Sequence, residues 1–139
     1  EYLSRGVYIQ TFFPNDKLIQ NCVKSSKENF YDEELTKREE NMEPPFFNLI
    51  SIVNQNKDLN LLRSQNKLIK DELRKFKELS VYGPAPSPIF KIRGKFRYRF
   101  LLKFRRSFKN KKELKRNLLL LKENKKLNLK VDVDPLNFV

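Results

Sequence analysis

The residues best suited to chemistry form a cationic run that alternates with apolar residues. The even positions of this run are Phe90, Ile92, Gly94, Phe96, Tyr98, Phe100, Leu102 and Phe104. The odd positions, apart from Leu101, are Lys91, Arg93, Lys95, Arg97, Arg99, Lys103 and Arg105. Alternation at period two predicts an extended chain with one packed face and one exposed face. We therefore predict that these seven cations contact phosphates of a nucleic-acid backbone, which needs no base-specific pairing.

Two simpler interpretations compete with phosphate binding by this run. A solvated strand face usually mixes Thr, Ser, Glu and Lys, whereas no acidic residue occurs between Pro84 and Lys112. Because neighbouring like charges repel each other, we favour phosphate contact. Tyr98 and the phenylalanines have rings that could stack on bases. Their parity places them on the packed face, so we predict that they belong to the core.

Other reactive groups are sparse in this sequence. The chain has no His and one Cys, so we predict no catalytic triad, no disulfide and no metal site. Cys22 is most simply a small buried apolar residue. Asp132 and Asp134 are more typical of a strand-end Asp-Pro turn than of an acid/base pair. No GxxxxGK[ST] motif occurs, so this chain alone is not expected to be an enzyme.

The first 45 residues predict one strand and two helices. Residues 6–13 are β-branched and aromatic and stop at Pro14, which is typical of a strand. Asn15 or Asp16 would cap a helix over 17–24, and Ser25 or Ser26 a second helix ending near residue 41. The second helix is acidic and shows no single apolar face, which indicates a solvated connector.

From residue 46 the pattern predicts a β-α-β-β-α-β order. Residues 46–53 form a nearly continuous apolar strand, and a core-facing helix capped by Asn56 follows over 59–76. A strand begins at Val81, pauses in the proline-rich residues 83–88, and continues into a hairpin over 89–104. A helix over 108–124, with Asn110 and Glu113 at capping-box spacing, precedes a strand over 127–133. This is an α+β, split βαβ plan, ferredoxin-like, with both helices on one face of the sheet and the cationic face left open.

Charge divides the chain unequally. Residues 84–139 carry 17 Lys/Arg and 4 Asp/Glu, a balance of +13 that equals the net charge of the whole 139-residue chain. Such localisation is typical of an electrostatic binding surface. Lysines of the 108–126 segment either extend this surface or only keep the helix solvated. No apolar run has the length of a membrane span. The single Cys suits a reducing cytoplasm, and the missing initial Met suggests a fragment.

Three motifs in order resemble one known family. They are GVYIQT at 6–11, ELTKR at 34–38 leading to Pro44-Pro45-Phe46, and GPAP at 83–86 followed by IRGKFRYR at 92–99. A terminal DVDP at 132–135 strengthens the match. Together they resemble the C-terminal end of the primosomal protein N′ family, the PriA-type replication-restart helicases.

The resemblance implies a two-part organisation. Residues 1–44 would be the tail of the second helicase lobe and a helical connector. Residues 45–139 would be a C-terminal domain, similar in fold to a small ribosomal-subunit protein, that binds branched or forked DNA. It also implies primosome partners and single-stranded DNA-binding protein, whose acidic tail would meet Arg105 and Arg106. ATP with Mg²⁺ and zinc are implied for the full-length parent, but their motifs are absent from this sequence.

Two alternatives stay open at this point. The same fold and basic face suit an RNA-associated structural protein of ribosomal type, which a competition between forked DNA and structured RNA would separate from a DNA-binding domain. The domain could instead serve mainly to dock acidic protein tails. In that case, reversing the charge of Arg105 and Arg106 should abolish peptide binding and leave DNA affinity nearly unchanged.

Overall fold

The computed structural model describes residues 8–24 and 27–135. Four helices and four strands occur in these ranges, in the order α1 Lys17–Lys24, α2 Lys27–Glu40, β1 Phe47–Asn56, α3 Leu59–Leu73, β2 Ser80–Ile92, β3 Lys95–Arg105, α4 Lys111–Glu123 and β4 Leu129–Val133. Contacts divide the chain into two units, residues 1–37 and 38–139. The boundary predicted after residue 44 concerns two parts of a longer parent protein, and this division does not test it. By contacts, residues 38–46 belong to the second unit.

The second unit is built on one antiparallel sheet with strand order β2-β3-β1-β4. β1 pairs with β3 from Phe47↔Arg105 to Asn56↔Phe96, and with β4 from Ile50↔Val133 to Asn54↔Leu129. The two interior strands, β1 and β3, are therefore neighbours in space although a helix and β2 separate them along the chain. This order confirms the predicted split βαβ plan in an α+β fold.

Helices α3 and α4 both pack on the same face of this sheet. The core joins Ile50 and Ile52 of β1 to the even residues Phe100, Leu102 and Phe104 of β3. Ile69 and Leu73 of α3, and Leu114 and Leu118 of α4, cover them. Since side chains alternate along a strand, the odd residues of β1 and β3 face away from the helices. We call the sheet surface that carries these odd residues the open face.

Aromatic residues at the hairpin end only partly follow the predicted packing. Phe100 and Phe104 are buried in the core, as parity predicts. Phe96 and Tyr98 are half-buried and instead surround Phe90, whose ring centroid lies 5.4 Å from that of Phe96 and 5.6 Å from that of Tyr98. Neither belongs to the helix-covered core, because that core ends at Phe100 along β3.

Side-chain caps differ from those predicted for two of the helices. Asp58, not Asn56, caps α3, since its Oδ1 accepts from the amides of Asn60 (2.8 Å) and Leu61 (3.1 Å). The Asn56 Oδ1 accepts instead from the amide of Asp58, in the turn before the helix. Asn110 precedes α4 without a side-chain capping bond, so the predicted capping box with Glu113 is wrong. α4 therefore begins without a side-chain capping bond from Asn110.

The first unit corrects one predicted element. Residues 8–13 contain no strand, and residues 6 and 7 lie outside the described part of the chain. A β-rich composition forms a strand only when a neighbour supplies the ladder bonds, and no strand pairs with 8–13 within the described residues. α1 and α2 are confirmed, and Asp16 caps α1 through a 2.8 Å bond from the amide of Leu18. The side chain of Cys22 lies outside what the structure describes.

β2 runs through the proline-rich segment that was predicted to interrupt it. Pro84, Pro86 and Pro88 all lie within Ser80–Ile92, and two register shifts against β3 occur there, between Tyr82 and Ala85 and between Pro86 and Lys91. Because β2 is an edge strand, residues without an N–H are tolerated in it. Among the described residues, no helix combines the length and the apolar character needed to cross a membrane.

Candidate nucleic-acid interface

Five of the seven predicted phosphate contacts share the open face along β3. They are Lys95, Arg97, Arg99, Lys103 and Arg105, all at odd positions of one regular strand. Alternate residues of a strand lie about 6.7 Å apart, so these cations form a line with one gap, at Leu101. Lys95, Arg97, Arg99 and Lys103 are half-exposed. Of the seven predicted phosphate contacts, these five are the ones that the structure brings together on one face.

Lys91 and Arg93 lie off this line. Lys91 is directly opposite Phe96, so it projects to the same side of the sheet as the aromatic residues, with its ammonium 4.8 Å from the centre of that ring. Arg93 has a φ of +48° beside Gly94 at +76°. Positive φ at both central residues is typical of a two-residue type I′ hairpin turn. The two-residue turn places odd residues of β2 opposite even residues of β3, which corrects the expectation of one face shared by all seven.

The end of the connector covers one end of the open face, contrary to the expectation that nothing would cover it. The ammonium of Lys103 donates to the carbonyl of Asn41 at 2.8 Å. Arg105 lies 3.7 Å from a carboxylate oxygen of Glu39, and its guanidinium is 5.1 Å from the centre of the buried Phe47 ring. Within the described ranges, the uncovered part of the cationic line therefore begins at Lys95 and includes Arg97.

A groove lies on the open face beside the register shift of β2 between Tyr82 and Ala85. It encloses about 460 Å³ and is lined by Ser51, Tyr82, Gly83, Ala85, Arg99, Phe100, Leu101 and Lys103. Tyr82 is opposite Leu101 and is 45% exposed. Gly83 has a φ of +106°, and a Cβ added to it would lie 2.6 Å from the carbonyl oxygen of Arg99. The close approach of β2 to β3 therefore depends on a glycine at this position.

The structure adds two cations that sequence patterns missed, Lys57 and Lys130, and brings Lys125 and Lys126, which were possible extensions of the surface, beside Lys57. Lys130 of β4 is opposite Val53, which is opposite Arg99, so one row across the open face carries both charges. At the hairpin end, Lys57, Lys95, Lys125 and Lys126 line a second groove with Gln55, Asn56, Leu127 and Asn128. Only the sheet register and the packing of two loops bring these residues together. A pattern read along the chain cannot show either.

The loop that carries Lys125 and Lys126 is fixed by amide side chains. The buried Gln65 donates to the carbonyl of Lys126 at 2.6 Å, and Asn124 accepts from the amide of Lys126 at 3.0 Å. Gln55 donates to the side chain of Asn128 at 3.2 Å. The backbone of this loop is therefore ordered before any ligand binds, which lowers the conformational-entropy cost of binding.

A different cavity lies beside α4, whose Lys111 contacts Arg106. Arg106 is exposed, and its backbone amide donates to the carbonyl of Phe46. Its own carbonyl accepts from the ammonium of Lys111. Lys111, Lys115 and Lys122 then surround an apolar groove of about 520 Å³ between α4 and the sheet, whose walls include Ile50, Phe104, Leu114, Leu118, Val131 and Val133. An apolar floor under a cationic rim suits an acidic peptide with apolar side chains.

The aspartates near the C-terminus have separate surroundings. Asp134 accepts from the amide of Leu49 at 3.0 Å and donates its own amide to the carbonyl of Leu49 at 2.8 Å. It therefore fixes the end of β4 to β1, as the strand-end interpretation predicts. Asp132 is exposed on the open face, opposite Ser51. In the described residues, no three His, Cys, Asp or Glu side chains converge as metal ligands would.

Comparison with known proteins gives one consistent result. The model of the primosomal protein N C-terminal domain matches residues 39–136. The replication restart protein PriA of Rickettsia felis is 33% identical over 95% of this chain and 20% of its own length. That of Chlamydia trachomatis is 33% identical over 96% and 18%, and that of Thermotoga maritima 31% identical over 68% and 12%. The chain thus spans about a fifth, or less, of the length of these relatives.

Proposed function

The chain belongs to the family of the primosomal protein N C-terminal domain, and from this premise we propose that it is the DNA-binding and partner-binding end of a replication restart protein. Its substrate in this proposal is the sugar-phosphate backbone of branched or forked DNA. The helicase activity belongs to the longer parent, and residues 1–44 are the tail of its second helicase lobe.

The observation that carries the proposal is the line of cations along β3. Lys95, Arg97 and Arg99 follow one another on the open face, with Lys130 in the same row as Arg99. In the described structure, no hydrogen bond or ion pair joins the side chain of Lys95 or Arg97 to another residue. Charges held this close together without a structural partner destabilise the fold, and a polyanion offsets that repulsion.

In the proposed mechanism, a phosphate backbone lies along β3 and exchanges its counterions for these side chains. Binding of this kind fixes the position of the DNA without reading its sequence. The rigid interior strand supplies a regular spacing, and the long side chains adapt to the individual phosphates. The lysine-lined groove at the hairpin end, which includes Lys95, continues the same charged path beyond the sheet.

We expect the affinity of the chain for a forked DNA oligonucleotide to fall steeply with salt. Five contacts, for example from Lys95, Arg97 and Arg99 with Lys130 and one lysine of the groove at the hairpin end, predict a slope of log K against log salt of about −3.5 to −4.5. Titrations between 50 and 200 mM salt, followed by fluorescence anisotropy, measure this slope. A nearly flat dependence would contradict phosphate contact as the source of binding.

The same titration separates DNA from RNA as the partner. A labelled forked DNA bound to the chain is displaced with unlabelled forked DNA or with a structured RNA of equal length. The family match leads us to expect that forked DNA competes more strongly. Stronger displacement by the RNA would favour the ribosomal-type alternative, which the fold and the basic face allow equally well.

For the partner-binding role, we propose that Arg106, together with Arg105, docks the acidic tail of single-stranded DNA-binding protein. The apolar groove between α4 and the sheet, with its rim of Lys111, Lys115 and Lys122, would take the apolar residues of such a tail. Arg105 already lies against Glu39 and Phe47. Arg106 is therefore the better residue for a test.

Arg106→Glu should weaken binding of an acidic C-terminal peptide at least tenfold, since a docked carboxylate would lose an attraction and meet a repulsion. Isothermal titration with the peptide measures the loss. Lys109→Glu makes the same change of charge at another exposed residue, three positions along the chain, and should change the affinity less than threefold. Equal losses in the two variants would show that only net charge matters, and would contradict docking at Arg106.

Cofactor chemistry is assigned to the parent in this proposal. With one Cys and no His, the residues of this chain do not fit the zinc site implied by the family. No GxxxxGK[ST] motif is present to hold ATP with Mg²⁺. Both would be bound by parts of the longer relatives outside the matched region. The proposed role in replication restart places the protein in the bacterial cytoplasm.

A further inference from the structure

We propose that the groove beside Tyr82 binds one unpaired nucleobase, stacked on the Tyr82 ring. This inference rests on the proposed binding of DNA and adds that the site prefers single-stranded DNA to duplex DNA. It starts from the exposure of one aromatic side chain on the open face. Tyr82 is 45% exposed on the open face of the sheet, opposite Leu101. Phe47, also on this face, is buried beneath the guanidinium of Arg105.

The groove has room for a flat ring beside Tyr82. Its volume of about 460 Å³ lies within the range of small-molecule pockets, about 300–1,000 Å³. The residues that follow the tyrosine along β2 are Gly83 and, after one proline, Ala85, and both line the groove. Their small size keeps the space next to the ring open. Leu101 and Tyr82 itself supply the apolar surface against which a base would pack.

Cations flank the ring where the phosphates of a stacked nucleotide would lie. Arg99 and Lys103 line the same groove, one on each side of Leu101 along β3. The ammonium of Lys103 lies over one face of the Tyr82 ring, 5.7 Å from its centre, and donates to the carbonyl of Asn41, so a base would stack on the other face. Its position is therefore set without the ligand. Ser51 adds a hydroxyl to the groove wall that can donate to or accept from a base edge.

This combination distinguishes single strands from duplexes. Every base has a π face, so stacking on tyrosine tolerates any sequence. In a duplex that face is covered by the neighbouring base pairs and cannot reach Tyr82. Phosphate contacts along β3 are available to both forms. The groove therefore adds affinity only for DNA with an unpaired base, such as the single-stranded arm of a fork.

The test compares Tyr82→Ala, Tyr82→Leu and Tyr82→Phe with the unchanged chain. The probe is a single-stranded oligonucleotide with one 2-aminopurine, and a duplex of the same sequence serves as the second ligand. Tyr82→Ala should weaken single-strand binding about tenfold, or about 1.4 kcal/mol, and duplex binding less than twofold. Because the ring carries no charge, the salt slope should not change. Tyr31→Ala removes an exposed tyrosine of α2 and should have no effect on either ligand.

The fluorescence of 2-aminopurine reports stacking directly. The unchanged chain and Tyr82→Phe should quench it, whereas Tyr82→Ala and Tyr82→Leu should not. Leucine keeps the apolar bulk, so the comparison with phenylalanine decides the question even if the alanine variant folds poorly. If the chain binds DNA with a steep salt slope and Tyr82→Leu quenches as well as Tyr82→Phe, stacking is wrong and DNA binding stands. If the unchanged chain binds neither ligand, both proposals are overturned.

Discussion

Replacing Gly83 with alanine should lower the free energy of unfolding by about 3 kcal/mol. The φ of +106° lies where L side chains are strained by about 1–3 kcal/mol. The added Cβ would also meet the backbone carbonyl of Arg99 at 2.6 Å and the Cα of Phe100 at 3.3 Å. Both atoms belong to an interior strand, so neither can move without disturbing the sheet. Urea denaturation followed by circular dichroism measures the change.

Gly94→Ala provides the matched control for this prediction. Gly94 also has a positive φ, +76°, but an added Cβ would meet no atom within 4 Å. The alanine there should cost only the strain of a left-handed residue, about 1 kcal/mol. A difference of about 2 kcal/mol between the two variants would isolate the contact between β2 and β3. Equal losses would contradict the close approach of these strands at Gly83.

Reversing two charges on the open face should have the largest effect on binding. Lys95→Glu combined with Arg97→Glu removes two of the proposed phosphate contacts from the uncovered part of the cationic line. At 50 mM salt we expect affinity for forked DNA to fall about a hundredfold, and the slope against log salt to become shallower by about 1.4 to 1.8. Both side chains are half-exposed, so the fold should persist. Anisotropy titrations at several salt concentrations give both quantities.

The control for this pair is Lys67→Glu combined with Lys77→Glu. These lysines are exposed, one on α3 and one in the following loop, and the change of net charge is the same. We expect a loss below fivefold, which reflects only the long-range field of the protein. If the two double variants lose affinity equally, the line along β3 is not the contact surface and a diffuse attraction explains the binding.

The fold was largely predictable because the apolar residues of its strands and helices recur at clear periods. The apolar run of β1, the 3-4 spacing of α3 and the alternation of β3 each specify one type of element. The errors occur where partners decide the outcome. Residues 8–13 have strand composition but no neighbouring strand among the described residues. Residues 83–88 contain prolines that would break an interior strand, yet they are part of β2 because it lies at the edge.

The candidate site was predictable along β3 and not across the sheet. Alternation is preserved within one regular strand, so Lys95, Arg97 and Arg99 could be grouped from spacing alone. Lys91 and Arg93 could not, because the two-residue turn at Arg93 and Gly94 reverses the parity between β2 and β3. Tyr82 and Lys130 join the open face only through pairing with distant strands. Which residues are neighbours across a sheet depends on the register of strand pairing, and local sequence patterns do not specify that register.

The three prolines of β2 also bear on what would happen if many copies bound one DNA molecule, as the proposed function implies. A polyanion concentrates bound chains and places their sheets side by side, conditions under which free strand edges join and aggregate. Pro84, Pro86 and Pro88 offer no N–H to such a neighbour. The outer edge of β2 is therefore a poor template for a further strand. Crowded along a strand of DNA, the copies would stay separate proteins and would not fuse into a continuous sheet.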